Sequence, residues 1–334
     1  PRPTQSAGPL YSSPLQRFGA GFKPDHGAIT DFDVAALHLG WYSDWKTRRD
    51  PLRPNGIEYA QLVYVENGVI GAALHSLTEY AAANPGSLWM VGNEPESDLQ
   101  GKNTPLQYAQ AYRSVYTAIK TGDSTARVAV GGVVQPTPLR LMWLDQVLSS
   151  YQQLYGAPMP VDVWNIHAYI LQEVQGSWGA GIPVGLDATQ GMVYDLQQND
   201  SIEVFRQHIV NFRTWMKQRG QQNKPLVISE YGVLMPPEHG FTPERVNEFM
   251  WNSFDYLLGA KDSSLGYAAD EYRLVQRWMW YSINDMPYDW TSGAGFNGQL
   301  FDYRYPTFPG VMTLMGLNFK TYTDALAAGV PVPT

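Results

Sequence analysis

The chain of 334 residues contains no cysteine. That removes thiolate nucleophiles, disulfides, Cys-ligated zinc and iron–sulfur clusters, and with them redox chemistry supplied by the protein itself. Charge is scarce as well: Asp, Glu, Lys and Arg make up 16% of the residues, against ~25% in soluble proteins generally. The formal balance is −8, with no basic run, so no nucleic-acid partner is expected, because neutralising phosphates needs a basic face. No stretch approaches the ~18 apolar residues of a bilayer span, so no membrane partner is expected either. No H-E-x-x-H, G-x-S-x-G, Gly-rich phosphate loop or EF-hand spacing occurs, and the six histidines are scattered. The expectation is therefore no cofactor and no metal. The chain opens on a polar, Pro/Ser-rich stretch with Pro rather than Met at its head. A segment upstream is expected to have been removed, and the protein to be secreted.

Aromatics, by contrast, are abundant: 11 Trp, 21 Tyr and 12 Phe. Many stand beside Gly, Asn and Asp in segments that read as loops. An indole exposed in such a loop is costly unless it stacks on something, and the C–H faces of sugar rings are a suitable partner.

Short apolar, β-branched runs bounded by turn residues occur at 17–22, 36–41, 58–65, 87–91, 127–130, 161–166, 225–229 and 277–282. Helical periodicity fills most gaps, at 71–83, 105–121, 138–155, 202–219 and 243–258, with a last helix at 309–327. Thr104 before Pro105, and Thr242 before Pro243, mark two helix starts. Strands alternating with helices imply a parallel sheet, and eight such units imply an α/β fold of the (β/α)₈ TIM-barrel type. Residues 23–33 leave room for one helical turn and 46–55 for none, so helices are reduced in the first third. With no linker, one domain is expected: an N-terminal extension over 1–16 and a catalytic barrel over 17–334.

In a parallel barrel the active site forms where the strands end. The fourth run ends Trp89-Met90-Val91-Gly92-Asn93-Glu94-Pro95-Glu96, and the seventh ends Ile228-Ser229-Glu230-Tyr231-Gly232. Each places a Glu at the rim. Two carboxyls across a cleft can divide acid and base labour, which is what glycoside hydrolysis needs. About 5–5.5 Å between them would mean a covalent intermediate and retention, and roughly 6.5–9.5 Å would mean inversion.

Gly92-Asn93-Glu94-Pro95 after a Trp-bearing run, followed much later by Ser229-Glu230-Tyr231-Gly232, resembles the large (β/α)₈ clan of glycoside hydrolases with catalytic glutamates on strands four and seven. The 161–169 segment ending His167-Ala168-Tyr169, and Arg277-Trp278-Met279-Trp280-Tyr281, fit the same resemblance. Trp41-Tyr42-Ser43-Asp44-Trp45 and the missing early helices look most like family 128, whose members are β-1,3-glucanases. The resemblance implies Glu94 as acid/base, Glu230 as nucleophile, Asn93 on the sugar 2-hydroxyl, and retention of configuration. It also implies a Trp under the cleaved sugar at strand eight; Trp278 and Trp280 share one face there, and Trp280 lies nearer the strand's end. One departure stands out: the clan's strand-two Arg that supports the nucleophile is absent from 36–41, leaving His38 or a distant Arg as substitutes.

Substrate contacts are expected from His167, Tyr169, Tyr231, Trp41, Trp45 and Trp290. Glu96 reads as a solvated rim residue, and Asp44, Asp285 and Asp289 as turn residues that could also reach sugar hydroxyls. The function expected is a monomeric, retaining glycoside hydrolase cleaving β-linked polysaccharide or oligosaccharide, endo-acting on β-1,3-glucan or a related β-glycan. The alternatives are an exo-acting β-glycosidase or β-xylosidase, with the long 173–199 loop closing one end of the cleft, and a non-catalytic carbohydrate-binding barrel.

Overall fold

Short aromatic and β-branched runs become parallel strands in the computed structural model, which describes residues 10–292 and 295–332. Residues 1–9 of the expected extension, and 293–294 and 333–334 of the expected barrel, lie outside the described residues. In chain order the strands are β1 (Phe18–Gly21), β2 (Trp41–Ser43), β3 (Glu58–Tyr59), β4 (Gln61–Val63), β5 (Val65–Glu66), β6 (Val69–Ile70), β7 (Leu88–Asn93), β8 (Arg127–Gly132), β9 (Trp164–His167), β10 (Leu226–Tyr231) and β11 (Arg277–Trp280). The helices are α1 (Leu74–Ala83), α2 (Pro105–Gly122), α3 (Pro138–Tyr155), α4 (Ile202–Gln218), α5 (Pro243–Gly259) and α6 (Leu314–Ala328).

One sheet runs β3-β2-β1-β11-β10-β9 and another β4-β7-β8, with every pairing in both parallel. Only Ala60 separates β3 from β4, and parallel bridges Ala129–Val163 and Val133–Ile166 link β8 to β9. The fold is α/β with a parallel, TIM-barrel-like sheet; β5 and β6 form a small antiparallel hairpin beside it.

Local chemistry explains the helices. At the head of α2 the Thr104 side chain accepts from Gln107 N while Gln107 returns a bond to the Thr104 backbone, and Pro105 fits the first turn because its missing N–H would be unsatisfied there anyway. Between β1 and β2 the chain makes only 3₁₀ turns, and one more precedes β3, so the first third is indeed short of helices. The expected strand at 36–41 is corrected. Asp33 accepts from Ala36 N and caps a 3₁₀ turn over Val34–Leu37, and His38 follows in a left-handed conformation, so the strand starts only at Trp41. Likewise α6 starts at Leu314, where Thr313 accepts from Gly316 N, rather than at 309.

Strand alternation divides the apolar residues between two cores. Trp89, Val91, Trp164, Trp278 and Trp280 join the large cluster shared with the helices. Trp41, Trp45, Met90, Val163, Val227, Met279 and Tyr281 form a second cluster inside the sheet. The carboxylates sit above this inner cluster, at the C-terminal ends of β7 and β10.

Candidate active site

Glu94 and Glu230 reach the same place by different devices. Glycine is required at position 92, where φ is +90°, and Glu94 itself is held at φ +40°, an unfavourable value for a residue with a Cβ. Hydrogen bonds from Glu94 N to Gly132 O and from Ser97 N and Gly101 N to Glu94 O fix that turn. On β10 the register against β9 slips between Ile228 and Glu230. Ile228 packs outward against the helices, so regular alternation would send Glu230 outward as well. The irregularity inserts one residue and turns Glu230 inward.

One oxygen of Glu94, one nitrogen of His167 and one oxygen of Glu230 all lie within 4.8 Å of one another. His167 Nδ1 is 3.0 Å from Glu94 Oε1, and its Nε2 is 3.5 Å from Glu230 Oε1. Trp45 Nε1 donates to Glu230 Oε1 at 2.5 Å and the Tyr169 hydroxyl to Oε2 at 3.1 Å. The nucleophile candidate is thus held by an indole, a phenol and an imidazole; His38 sits elsewhere, paired with Asp324. There is no room for a larger residue behind the imidazole, because a Cβ on Gly132 would stand 2.4 Å from His167 Cδ2.

Burial pushes the Glu230 carboxyl up, and the charge of Glu94 adds to this, while His167, Trp45 and Tyr169 pull it back; the net direction is upward. For His167, burial lowers the imidazole's proton affinity, but the charge of Glu230 and the bond and charge of Glu94 outweigh it, so its pKa is raised. The negative charge on either side of the ring thus favours its protonated form. Among the described residues, these three are the group that could also hold a divalent cation.

A cleft of about 570 Å³ opens over the pair. Of the expected contacts, Asn93, Tyr169, Trp45 and Trp290 line it, and His167 lies buried between the two glutamates. The Asn93 Oδ1 is buried and has no partner among the described residues.

Three expected contacts do not line the cleft. Trp280 points to the helix layer, where it donates to Gly298 O at 2.8 Å and meets Tyr231 edge-on. Tyr231 is turned outward beside Glu230, packing on Phe205 with its hydroxyl 3.1 Å from Ser253 Oγ. Trp41 lies in the inner core below the site and donates to Arg17 O. The residue of strand position eight that does face the cleft is Tyr281, which donates to Asp285 and precedes a cis peptide bond to Ser282.

Glu96 is corrected too: it is fully buried and bonded to Arg140 Nε at 2.9 Å. Asp44 is buried against Arg48 and Tyr59, and Asp289 caps a turn. Sequence reasoning missed Tyr64 and Trp178. Tyr64 lines the cleft, and burial with the charges of Glu230 and Glu94 pushes its hydroxyl up to about 12. Trp178 belongs to the loop after β9, which had been read for its length alone.

The sequence of residues 19–178 matches the family model of the glycosyl hydrolase catalytic core. That span contains Glu94 and ends before Glu230, which the fold brings opposite it. No curated protein matches the sequence. The catalytic-core match marks the class of protein, a glycoside hydrolase. Within the class, the fold is similar to an endo-β-1,3-glucanase of family GH128, subgroup II, from Pseudomonas viridiflava, at 15% identity and TM-score 0.59, with 95% of this chain and 98% of that one covered. It is similar also to a curdlan-specific exo-β-1,3-glucanase of subgroup III from Blastomyces gilchristii, at 15% identity and TM-score 0.57, covering 92% and 98%. A glucosidase from Croceicoccus marinus aligns at 12% identity and TM-score 0.62, over 93% of this chain and 68% of that one. At such identities the likeness is one of fold.

Proposed function

We propose that this protein is a retaining glycoside hydrolase that cleaves β-1,3-glucan internally, on a single-domain (β/α)₈ barrel closed by its eight strand positions over residues 17–334. The observation that carries the reading is the separation of the two carboxylates, with oxygens within 4.8 Å at the floor of an aromatic cleft. That closeness is on the side of the shorter carboxyl separation that goes with direct attack.

In the proposed reaction Glu230 attacks the anomeric carbon while Glu94 gives its proton to the departing glycosidic oxygen. The C–O bond to the leaving sugar breaks and an ester to Glu230 forms with inversion. Glu94, now a carboxylate, takes a proton from water, whose oxygen displaces Glu230 with a second inversion. Trp45 and Tyr169 hold the two oxygens of Glu230 in line. His167 lies between the two glutamates and compensates the charge of Glu230. Asn93 offers its amide to the sugar 2-hydroxyl, a bond that strengthens as oxocarbenium character develops.

The β-1,3 linkage is supported by the fold shared with the P. viridiflava and B. gilchristii enzymes. Internal cleavage is favoured by a cleft lined from several loops, with Trp178 after β9 and Trp290 after β11. A polymeric substrate implies work outside the cell. Reducing-end release from laminarin, mixed-linkage glucan, mannan and xylan tests this. Activity is expected on the β-1,3-glucan, with a spread of oligosaccharide products and loss in Glu230→Gln. Release of a single small sugar would overturn internal cleavage, and turnover surviving in Glu230→Gln would overturn the nucleophile.

A further inference from the structure

Behind the cleft lies a buried arginine that the reaction does not touch. Arg140 stands in the first turn of α3, and its side chain is inaccessible to solvent. Its guanidinium holds three partners on two segments at once, the turn after β7 and the loop after β9. Nε donates to Glu96 Oε1 at 2.9 Å, two residues past Glu94; Nη1 donates to Glu173; and Nη2 donates to Ala180 O at 2.6 Å. Ala180 and its neighbour Trp178 are part of the cleft wall, and the Trp178 indole is 42% exposed there.

Each partner is itself tied down. Glu96 Oε1 also accepts from Val134 N at 2.8 Å, and Glu96 O accepts from Val184 N at 2.8 Å, so the turn after Glu94 and the loop after β9 are joined by backbone as well. Glu173 closes the neck of that loop through Met192 N at 2.8 Å. A planar fork that fixes three partners cannot be copied by an ammonium, which is a single point of charge.

We propose that Arg140 is a positioning residue that locks the Trp178 wall of the cleft to the turn bearing Glu94, so that a sugar stacked on Trp178 is registered against the acid. The inference rests on the hydrolase reading and adds a specificity element to it: long substrates that reach Trp178 gain rate through Arg140. Removing the arginine outright would strand two buried carboxylates, so the informative change is Arg140→Lys, which keeps the charge and loses the fork.

The experiment is a double-mutant cycle on kcat/KM for a β-1,3-gluco-oligosaccharide, with wild type, Arg140→Lys, Trp178→Ala and the double variant, each checked for folding by circular dichroism. Misregistration of an acid by a fraction of an ångström to about 1 Å costs up to ~100-fold, and a loss of at least ~10-fold, mostly in kcat, is expected for Arg140→Lys. The double variant is expected to match the more damaged single variant. Losses that multiply would overturn the coupling, because a merely structural arginine acts independently of Trp178. If Arg140→Lys does not fold, Glu173→Gln, which retains an acceptor for the fork, takes its place in the same cycle and is read the same way. A wild type without turnover overturns the hydrolase reading together with this one, whereas an active wild type with multiplicative losses overturns this inference alone.

Discussion

Replacing Trp45 with phenylalanine removes the indole N–H that donates to Glu230 Oε1 at 2.5 Å and leaves an aromatic ring against Tyr281, 5.5 Å away. Both partners are almost wholly buried at the floor of the cleft, where a loose water would be a poorer donor than the fixed indole. A hydrogen bond to a charged group contributes ~1.5–3 kcal/mol, which corresponds to about 10- to 150-fold in kcat/KM. The same donor favours the ionised form of Glu230, whose carboxyl burial and the Glu94 charge already push upward. Without it the pKa rises further, and the acid limb of the rate profile moves to higher pH. Initial rates on a soluble β-1,3-glucan across the pH range in which the protein stays folded measure both effects. A Trp45→Phe profile that superimposes on wild type, in height and in its acid limb, would refute the assignment of Trp45 as the support of the nucleophile.

Other consequences follow from buried groups. Burial pushes the His208 imidazole, which meets the Tyr194 hydroxyl at 3.0 Å, down to about 4. Its contribution to stability is therefore complete above about pH 6.5 and lost as pH falls, amounting to about 3 kcal/mol by pH 4; urea titrations should show this slope in wild type and a flatter one in His208→Gln. Trp280, fully buried among Tyr231, Phe249 and Phe254, should cost about 3–5 kcal/mol on truncation to Ala. Trp290→Ala, at an exposed position in the cleft, should leave stability within about 0.5 kcal/mol and raise KM for polymer; calorimetry and kinetics on the two variants separate a core indole from a cleft indole.

The helices were legible in the sequence because their signals are local: Thr104-Pro105 with Gln107, and the periodicity of 138–155, which the structure reproduces to the residue. Both glutamates were legible because they follow apolar runs at strand ends. What was hidden depends on contacts distant in sequence or on the direction of a single side chain. Strict alternation from Ile228 sends Glu230 outward, and only the irregularity against β9 turns it in and Tyr231 out. On β11 alternation holds, so Trp278 and Trp280 face the helices and Tyr281 faces the cleft, opposite to the reading that placed Trp280 under the sugar. Glu96 resembled a solvated rim residue because its partner, Arg140, lies on α3, 44 residues away. Trp45 reaches Glu230 from a left-handed turn just past β2, with φ +55°, a position no periodicity marks.

The central claim, direct attack by Glu230 between two closely spaced carboxylates, is tested most directly by the anomeric configuration of the first product. Proton NMR of a β-1,3-gluco-oligosaccharide during the first minutes of hydrolysis reads it before mutarotation scrambles the signal. The account expects the β-anomer to appear first and the α-anomer to follow by mutarotation alone. An α-anomer formed first would mean single displacement by water and would contradict the roles given to Glu94 and Glu230.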